Sequence, residues 1–212
     1  IDVNADGSRA ALVYYNSDFT SDHVVIADLD TGTVIDDEAT PYSQMSGPRF
    51  SNDGSKIYVR PVGSLIEYSL QSNNLVVTQS QTYNSDYSEN IAVSPIDGSI
   101  IISESDAGSI RVVNPNDFDD NETYAVVEGS GIARIAISHD GTKLLVVGYD
   151  GEYYISEFSL ETFQTTHRYA IPDYPEAVGY YPDDSQYIVG DNNHSGSVYF
   201  GTSGSDTYDA TF

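Results

Sequence analysis

Aromatic rings and carboxylates occur together in the segments that connect the predicted strands. The candidate ligand-binding residues of this kind are Tyr15, Tyr87, Tyr149, Tyr174, Asp191 and His194. A sugar ring stacks on an aromatic face while its hydroxyl groups bond to carboxylates and amides, so this combination predicts a glycan site. The alternative is that tyrosine is simply the usual loop aromatic of this chain, which contains 18 of them.

Two of the six arginines, Arg49 and Arg134, lie on the small or polar face of the first predicted strand of their repeats, which is expected to face a central channel. A guanidinium group binds anions through paired hydrogen bonds, so both arginines are candidates for holding an anionic group of a ligand. The alternative is a structural ion pair with Asp2, Glu89 or Glu176.

The segment 114–122 is the densest run of oxygen ligands and contains Asp117, Asp119 and Asp120. Ca²⁺ takes about six to eight oxygen ligands in protein loops, which makes this segment the candidate metal site. The glycine and the ligand spacing of an EF-hand loop are absent, and a solvated turn is the alternative. No other cofactor is indicated.

These residues are carried by a repeated framework. An Asp-Gly-Ser/Thr phrase begins at Asp6, Asp53, Asp97 and Asp140, and a weaker form begins at Asp183, at spacings of 47, 44, 43 and 43 residues. A period of this size is typical of a repeat architecture.

Each repeat is predicted to form four short strands. The fourth repeat shows them most clearly, over residues 133–138, 144–147, 153–160 and 164–170, with turn residues between them. A four-stranded antiparallel meander is one blade of a β-propeller. We therefore predict an all-β fold, a five-bladed β-propeller of four-stranded antiparallel blades. It forms a single domain over residues 1–212, with blades at approximately 1–40, 45–82, 88–128, 132–171 and 175–212.

In this arrangement the first strand of each blade lines a central channel, and its side chains alternate between two faces. One face is bulky in every repeat and is predicted to pack between blades: Ile1 and Val3, Pro48 and Phe50, Ile91 and Val93, Ile135 and Ile137, Val178 and Tyr180. Ring closure by five blades is the favoured arrangement. The alternative, five blades of a six- or seven-bladed ring, would leave two blade faces exposed.

The repeats resemble a known family. Residues 51–59 (SNDGSKIYV) are similar to the SPDGxxLYV core of YVTN-type and TolB-like β-propeller repeats, as are the turns at 94–99 and 138–144. Residues 24–32 (VVIADLDTG) resemble the third strand of those repeats. The resemblance covers the whole chain and implies the propeller fold, but these repeats serve many tasks, so it does not indicate one function.

The composition limits the partners. The chain has 33 acidic residues against 8 basic ones, a net charge of −25, and no cysteine. Such a surface repels phosphate backbones, so we expect no nucleic-acid partner, and no apolar run is long enough to predict membrane insertion. An acidic chain rich in Ser, Asn, Thr and Tyr resembles exported proteins of halophilic or marine microbes, which predicts a secreted or cell-surface location.

Catalysis has less support than binding. The four histidines are scattered, and no nucleophile elbow or phosphate loop is present. Glycosidases use two carboxylates, whereas Asp2 is the only acid expected to face the channel. We therefore predict a noncatalytic binding module for a glycan or protein ligand. The alternatives are a small glycoside-active enzyme with channel carboxylates and a purely structural module of a surface assembly.

Overall fold

The computed structural model describes residues 1–15, 22–42, 45–83, 90–126, 131–172, 174–191, 197–205 and 207–211. They form five four-stranded antiparallel sheets, named first to fifth in chain order, in which neighbouring strands follow one another along the chain. The all-β prediction is confirmed. The described helical structure is a single 3₁₀ turn, Ser105–Ala107. In these ranges no helix has the length and hydrophobicity needed to span a bilayer.

The strands match the five predicted repeats. The first and second sheets contain β1 (Asp2–Val3), β2 (Arg9–Tyr15), β3 (Asp22–Asp28), β4 (Thr33–Thr40), β5 (Ser46–Phe50), β6 (Lys56–Arg60), β7 (Ser64–Gln71) and β8 (Asn74–Thr82). The third contains β9 (Ile91–Val93), β10 (Ile100–Glu104), β11 (Ser109–Asn114) and β12 (Asp117–Ala125). The fourth and fifth contain β13 (Gly131–Ile137), β14 (Lys143–Tyr149), β15 (Tyr153–Ser159), β16 (Gln164–Ile171), β17 (Pro175–Tyr180), β18 (Gln186–Asp191), β19 (Val198–Thr202) and β20 (Tyr208–Thr211).

The recurring Asp-Gly phrase forms the turn between the first and second strands of each sheet. In all five turns the aspartate accepts a hydrogen bond from the backbone N–H two residues later, at 2.9–3.1 Å. This Asx turn explains why aspartate recurs at a fixed period. Hydrogen bonds from Ser51 and Ser55 lower the pKa of Asp53 to about 2, so the turn aspartate is ionised and committed to its own loop.

The fifth turn departs from the phrase because Asp184 replaces the glycine and adopts a left-handed backbone with φ 55°. Its carboxylate reaches the fourth turn, where it accepts hydrogen bonds at 2.8 Å from the backbone N–H groups of His139 and Asp140. The His139 ring nitrogen Nδ1 lies 2.9 Å from the same carboxylate. Asp184 therefore links two sheets, which no glycine could do.

The second strand of the fourth sheet is buried on both faces, as predicted for residues 144–147. Leu144 and Val146 pack in the cluster shared with the third sheet, whereas Leu145 and Val147 pack in the cluster shared with the fifth. All four side chains are fully buried. Alternating side chains along one strand thus join two successive interfaces.

Four hydrophobic clusters join each sheet to the next, and none of them joins the fifth sheet to the first. The predicted packing face is confirmed for Phe50, Ile91, Val93, Ile135, Ile137, Val178 and Tyr180. The prediction is wrong for Ile1 and Val3, which are 77% and 48% exposed, because no preceding sheet covers them in the described residues.

The only two lysines of the chain occupy equivalent positions and neutralise buried carboxylates. Lys56 Nζ lies 2.9 Å from Glu67, and Lys143 Nζ lies 3.7 Å from Glu157. Each glutamate is on the third strand of its sheet and is almost fully buried. A buried carboxylate requires such partners because its desolvation is costly.

Candidate functional site

Three tyrosines form a continuous aromatic surface at one edge of the fourth sheet, which we call the tyrosine surface: Tyr149, Tyr153 and Tyr174. The ring centroids of Tyr149 and Tyr153 are 5.0 Å apart at an interplanar angle of 53°. Tyr174, immediately before β17, meets Tyr153 edge-on with centroids 5.5 Å apart. Tyr149 is 49% exposed, so one large ring of the cluster is open to a ligand.

The local backbone explains this arrangement. Tyr149 ends β14 and Tyr153 begins β15, and the two residues pair directly across the hairpin. Gly151 permits the tight turn with φ 111°. A Cβ atom at Gly148 would overlap the carbonyl oxygen of Gly131, so the first and second strands approach closely only because residue 148 is glycine. The hairpin thereby presents two rings on the same side.

A shallow cavity of about 460 Å³ lies beside the rings. Tyr149, Glu152, Tyr153, Ile171 and Pro172 are among its lining residues. Apolar ring faces beside an exposed carboxylate provide both stacking and hydrogen-bond acceptors, which is the chemistry that a sugar requires.

A second shallow cavity continues the first and contains an arginine. It shares Glu152 and Ala170 with its neighbour and is also lined by Asp150 and Arg168. The Arg168 guanidinium lies 4.6 Å from the centre of the Tyr154 ring and pairs with Asp150. The hydrogen bond from Arg168 lowers the pKa of Asp150, which keeps this carboxylate ionised beside the rings.

The two candidate arginines have structural partners. Arg134 Nη2 lies 2.9 Å from the Glu176 carboxylate, and Arg134 Nε donates to the Glu176 backbone oxygen at 3.0 Å. This is the ion-pair alternative, and it links β13 to β17. Arg49 Nη1 donates to the Pro48 oxygen at 2.9 Å. The expected pairing of Arg49 with Asp2 is not the one seen, because Asp2 accepts the backbone N–H of Phe50 at 2.8 Å.

The candidate calcium ligands engage separate partners. Asp119 accepts a hydrogen bond from Gln81 at 2.7 Å, and Asp120 accepts one from Asn114 at 2.8 Å. Asp117 accepts the backbone N–H of Asp119 at 3.1 Å. Within the residues that the structure describes, no group of three or more His, Cys, Asp or Glu side chains could hold a metal. Calcium binding at this segment therefore stays a prediction.

Of the remaining candidates, Asp191 pairs with Pro175, the residue that follows Tyr174, and the others lie outside the described residues. Asp191 ends β18, is half-buried, and donates its backbone N–H to the Ser197 oxygen at 3.0 Å. Tyr87 and His194 lie outside the described residues, as does the side chain of Tyr15. Of the predicted ligand-binding residues, the structure thus places Tyr149 and Tyr174 against the same ring, Tyr153, and brings the backbone of Asp191 next to Tyr174.

Sequence reasoning missed three residues of this region: Glu152, Tyr153 and Arg168. The signal for Tyr153 was present, since a three-residue turn at 150–152 with a tyrosine on each side predicts that Tyr149 and Tyr153 face each other across a hairpin. Arg168 carried no such signal, because its position beside Asp150 depends on the register of β16 against β15.

Comparisons with known proteins identify the fold alone. No protein-family model and no curated protein matches the sequence. Among solved structures, hydrazine synthase from Kuenenia stuttgartiensis is similar, with a TM-score of 0.74 and 17% sequence identity. The match covers 95% of this chain and 61% of that chain, so this chain spans less than two thirds of its neighbour. In all, 1452 solved chains match, and a fold this widespread does not select a function.

Proposed function

We propose that this chain is a noncatalytic binding module and that its ligand is a glycan held at the tyrosine surface. The five sheets act as blades of a β-propeller of the YVTN or TolB-like type, and the loops at one edge of the fourth blade form the site. The observation that carries the proposal is the half-exposed Tyr149 ring, supported from behind by Tyr153 and Tyr174 and bordered by a shallow cavity.

The polar groups around the rings favour a sugar over an apolar ligand. Glu152 lines both cavities, and the Asp150–Arg168 pair lines the second. Carboxylates accept hydrogen bonds from hydroxyl groups, and a guanidinium donates to ring and hydroxyl oxygens. The cavities are open and shallow, which fits one or two sugar units of an exposed chain. A net charge of −25 favours neutral or cationic glycans over sulfated ones.

The location proposed with this function is outside the cell or on its surface, where glycans are accessible. The support is compositional: the chain is strongly acidic and rich in Ser, Asn, Thr and Tyr, as are exported proteins of halophilic or marine microbes.

The proposal is tested by screening a glycan array and measuring the best ligand by calorimetry. Tyr149→Ala should weaken binding by about tenfold, since an aromatic stacking contact contributes roughly 1 kcal/mol or slightly more. The matched control is Tyr181→Ala, because Tyr181 is 38% exposed but lies in the turn at the opposite end of its sheet. Equal loss in both variants, or no glycan bound by the wild type, contradicts the proposal. Binding of a protein instead would identify the other ligand class.

A further inference from the structure

The two cavities beside the tyrosine surface are lined by three charged side chains, and two of these neutralise each other. Arg168 pairs with Asp150, and its guanidinium group also lies 4.6 Å from the centre of the Tyr154 ring. The third charged residue, Glu152, is exposed and lines both cavities. The wall that the cavities share therefore carries one carboxylate whose charge is not balanced within them.

The Glu152 carboxylate is available to a ligand. Its backbone belongs to the hairpin, since its N–H donates to the Asp150 carboxylate at 3.5 Å and its oxygen accepts the Asp150 N–H at 3.2 Å. Among the residues that the structure describes, none forms an ion pair or a hydrogen bond with the Glu152 side chain. Glu104 and Glu176, at the same end of their own strands, are each paired with an arginine. Glu152 thus differs from both in keeping its full charge for the cavities.

An unbalanced carboxylate beside a ring that can stack favours a cationic ligand. A uronate or a sulfated sugar would be repelled by Glu152 and by the net charge of −25, and a neutral sugar would leave the charge of the carboxylate uncompensated. On the basis of the glycan site proposed above, we infer that the ligand is an amino sugar. Its ring stacks on the half-exposed Tyr149 ring, and its ammonium group pairs with Glu152.

The ion pair should make a modest contribution to affinity that depends on salt and pH in a defined direction. An ion pair at an exposed site changes an affinity by about threefold. Salt screens the pair, and a pH high enough to deprotonate the amine removes it. The preference for an amino sugar over its neutral analogue should therefore be about threefold at low salt and about pH 6, and absent at about pH 9.

NMR titration with three matched disaccharides tests the inference. Cellobiose, the corresponding glucosamine disaccharide and its N-acetylated form share one backbone and differ in a single substituent on each ring, which is a hydroxyl, an ammonium or an acetamide group. The wild type should bind the glucosamine disaccharide about threefold more tightly than cellobiose. Glu152→Gln removes the charge at nearly constant shape, so it should abolish this preference and leave the affinity for the two neutral disaccharides unchanged. Glu161→Gln is the matched control, because Glu161 is exposed in the turn at the opposite end of the fourth sheet, and it should keep the preference.

The outcomes separate this inference from the binding function itself. Equal affinity for the three disaccharides, lost in Tyr149→Ala, overturns the amino sugar and keeps the glycan site. A preference that Glu152→Gln leaves unchanged, or that Glu161→Gln also abolishes, places the ammonium group elsewhere on the acidic surface and overturns the inference as well. If none of the three binds, the inference fails, and the glycan array alone decides whether the chain binds sugars.

Discussion

Replacing Asp184 by glycine restores the turn phrase of the other repeats, and we expect it to destabilise the protein. Two effects oppose each other. Glycine relieves the cost of a left-handed backbone at φ 55°, which is about 1–2 kcal/mol for an L residue. It also removes the acceptor for two backbone N–H groups at 2.8 Å and for the His139 ring. Each such bond contributes about 1 kcal/mol at this partly exposed turn. The net loss is therefore about 1–2 kcal/mol at neutral pH.

The loss should depend on pH in a defined direction. Burial raises the pKa of Asp184, but the hydrogen bonds from His139 and Asp140 outweigh it, so the pKa lies below the ordinary 3.8. A lowered pKa stabilises the fold above the unfolded-state value, and the contribution is lost as the pH falls through the folded-state value. The difference in free energy of unfolding between wild type and Asp184→Gly should thus be constant near neutral pH and shrink below about pH 4.

Urea unfolding of the wild type, Asp184→Gly and Asp184→Asn, carried out between about pH 7 and pH 3, measures these differences in the free energy of unfolding. Asparagine tolerates the left-handed backbone and keeps one acceptor, so its free energy of unfolding should lie between the other two. A glycine variant more stable than the wild type would refute the reasoning, because backbone strain would then outweigh the link between the sheets.

Three further outcomes follow from the same structure. Glu157→Ala should lower the free energy of unfolding by about 3 kcal/mol, because the Tyr180 hydroxyl and the Gly204 N–H lose their buried acceptor. Chemical denaturation measures this free energy, and a decrease smaller than about 0.5 kcal/mol would contradict the prediction. Gly201→Ala should cost about 1–3 kcal/mol, because the new Cβ would overlap the buried Tyr187 ring; an unchanged melting temperature would show that the ring moves freely. The melting temperature of the wild type should rise with NaCl because salt screens a net charge of −25; a flat or falling series argues against self-repulsion.

The fold was largely predictable because its signals are local. The turn aspartate accepts a hydrogen bond from a backbone N–H only two residues away, so its role is confined to its own turn. The spacing of the Asp-Gly phrase therefore predicts the spacing of the sheets along the chain. The unbroken apolar run at 144–147 likewise reported burial on both faces. Neither inference required knowledge of distant residues.

The candidate site was less predictable because its contacts cross large sequence distances. Tyr153 meets Tyr174, 21 positions later, and Arg134 meets Glu176, 42 positions later. The repeat predicted the order of the strands but did not decide which side chains on different strands would reach each other. The exposure of Val3 could not be predicted from the sequence either, because the first strand of the first sheet has the same apolar pattern as the first strands whose side chains pack between sheets.

The Asx turns and the tyrosine surface lie at opposite ends of the same strands. In the fourth sheet β14 separates them by seven residues, or about 20 Å. The hairpin at 150–152 can therefore change in length or composition without disturbing the turn that fastens the fourth sheet to the fifth. Foreign recognition peptides grafted at this hairpin would be displayed on an already rigid frame, which makes the chain a host for diversified libraries.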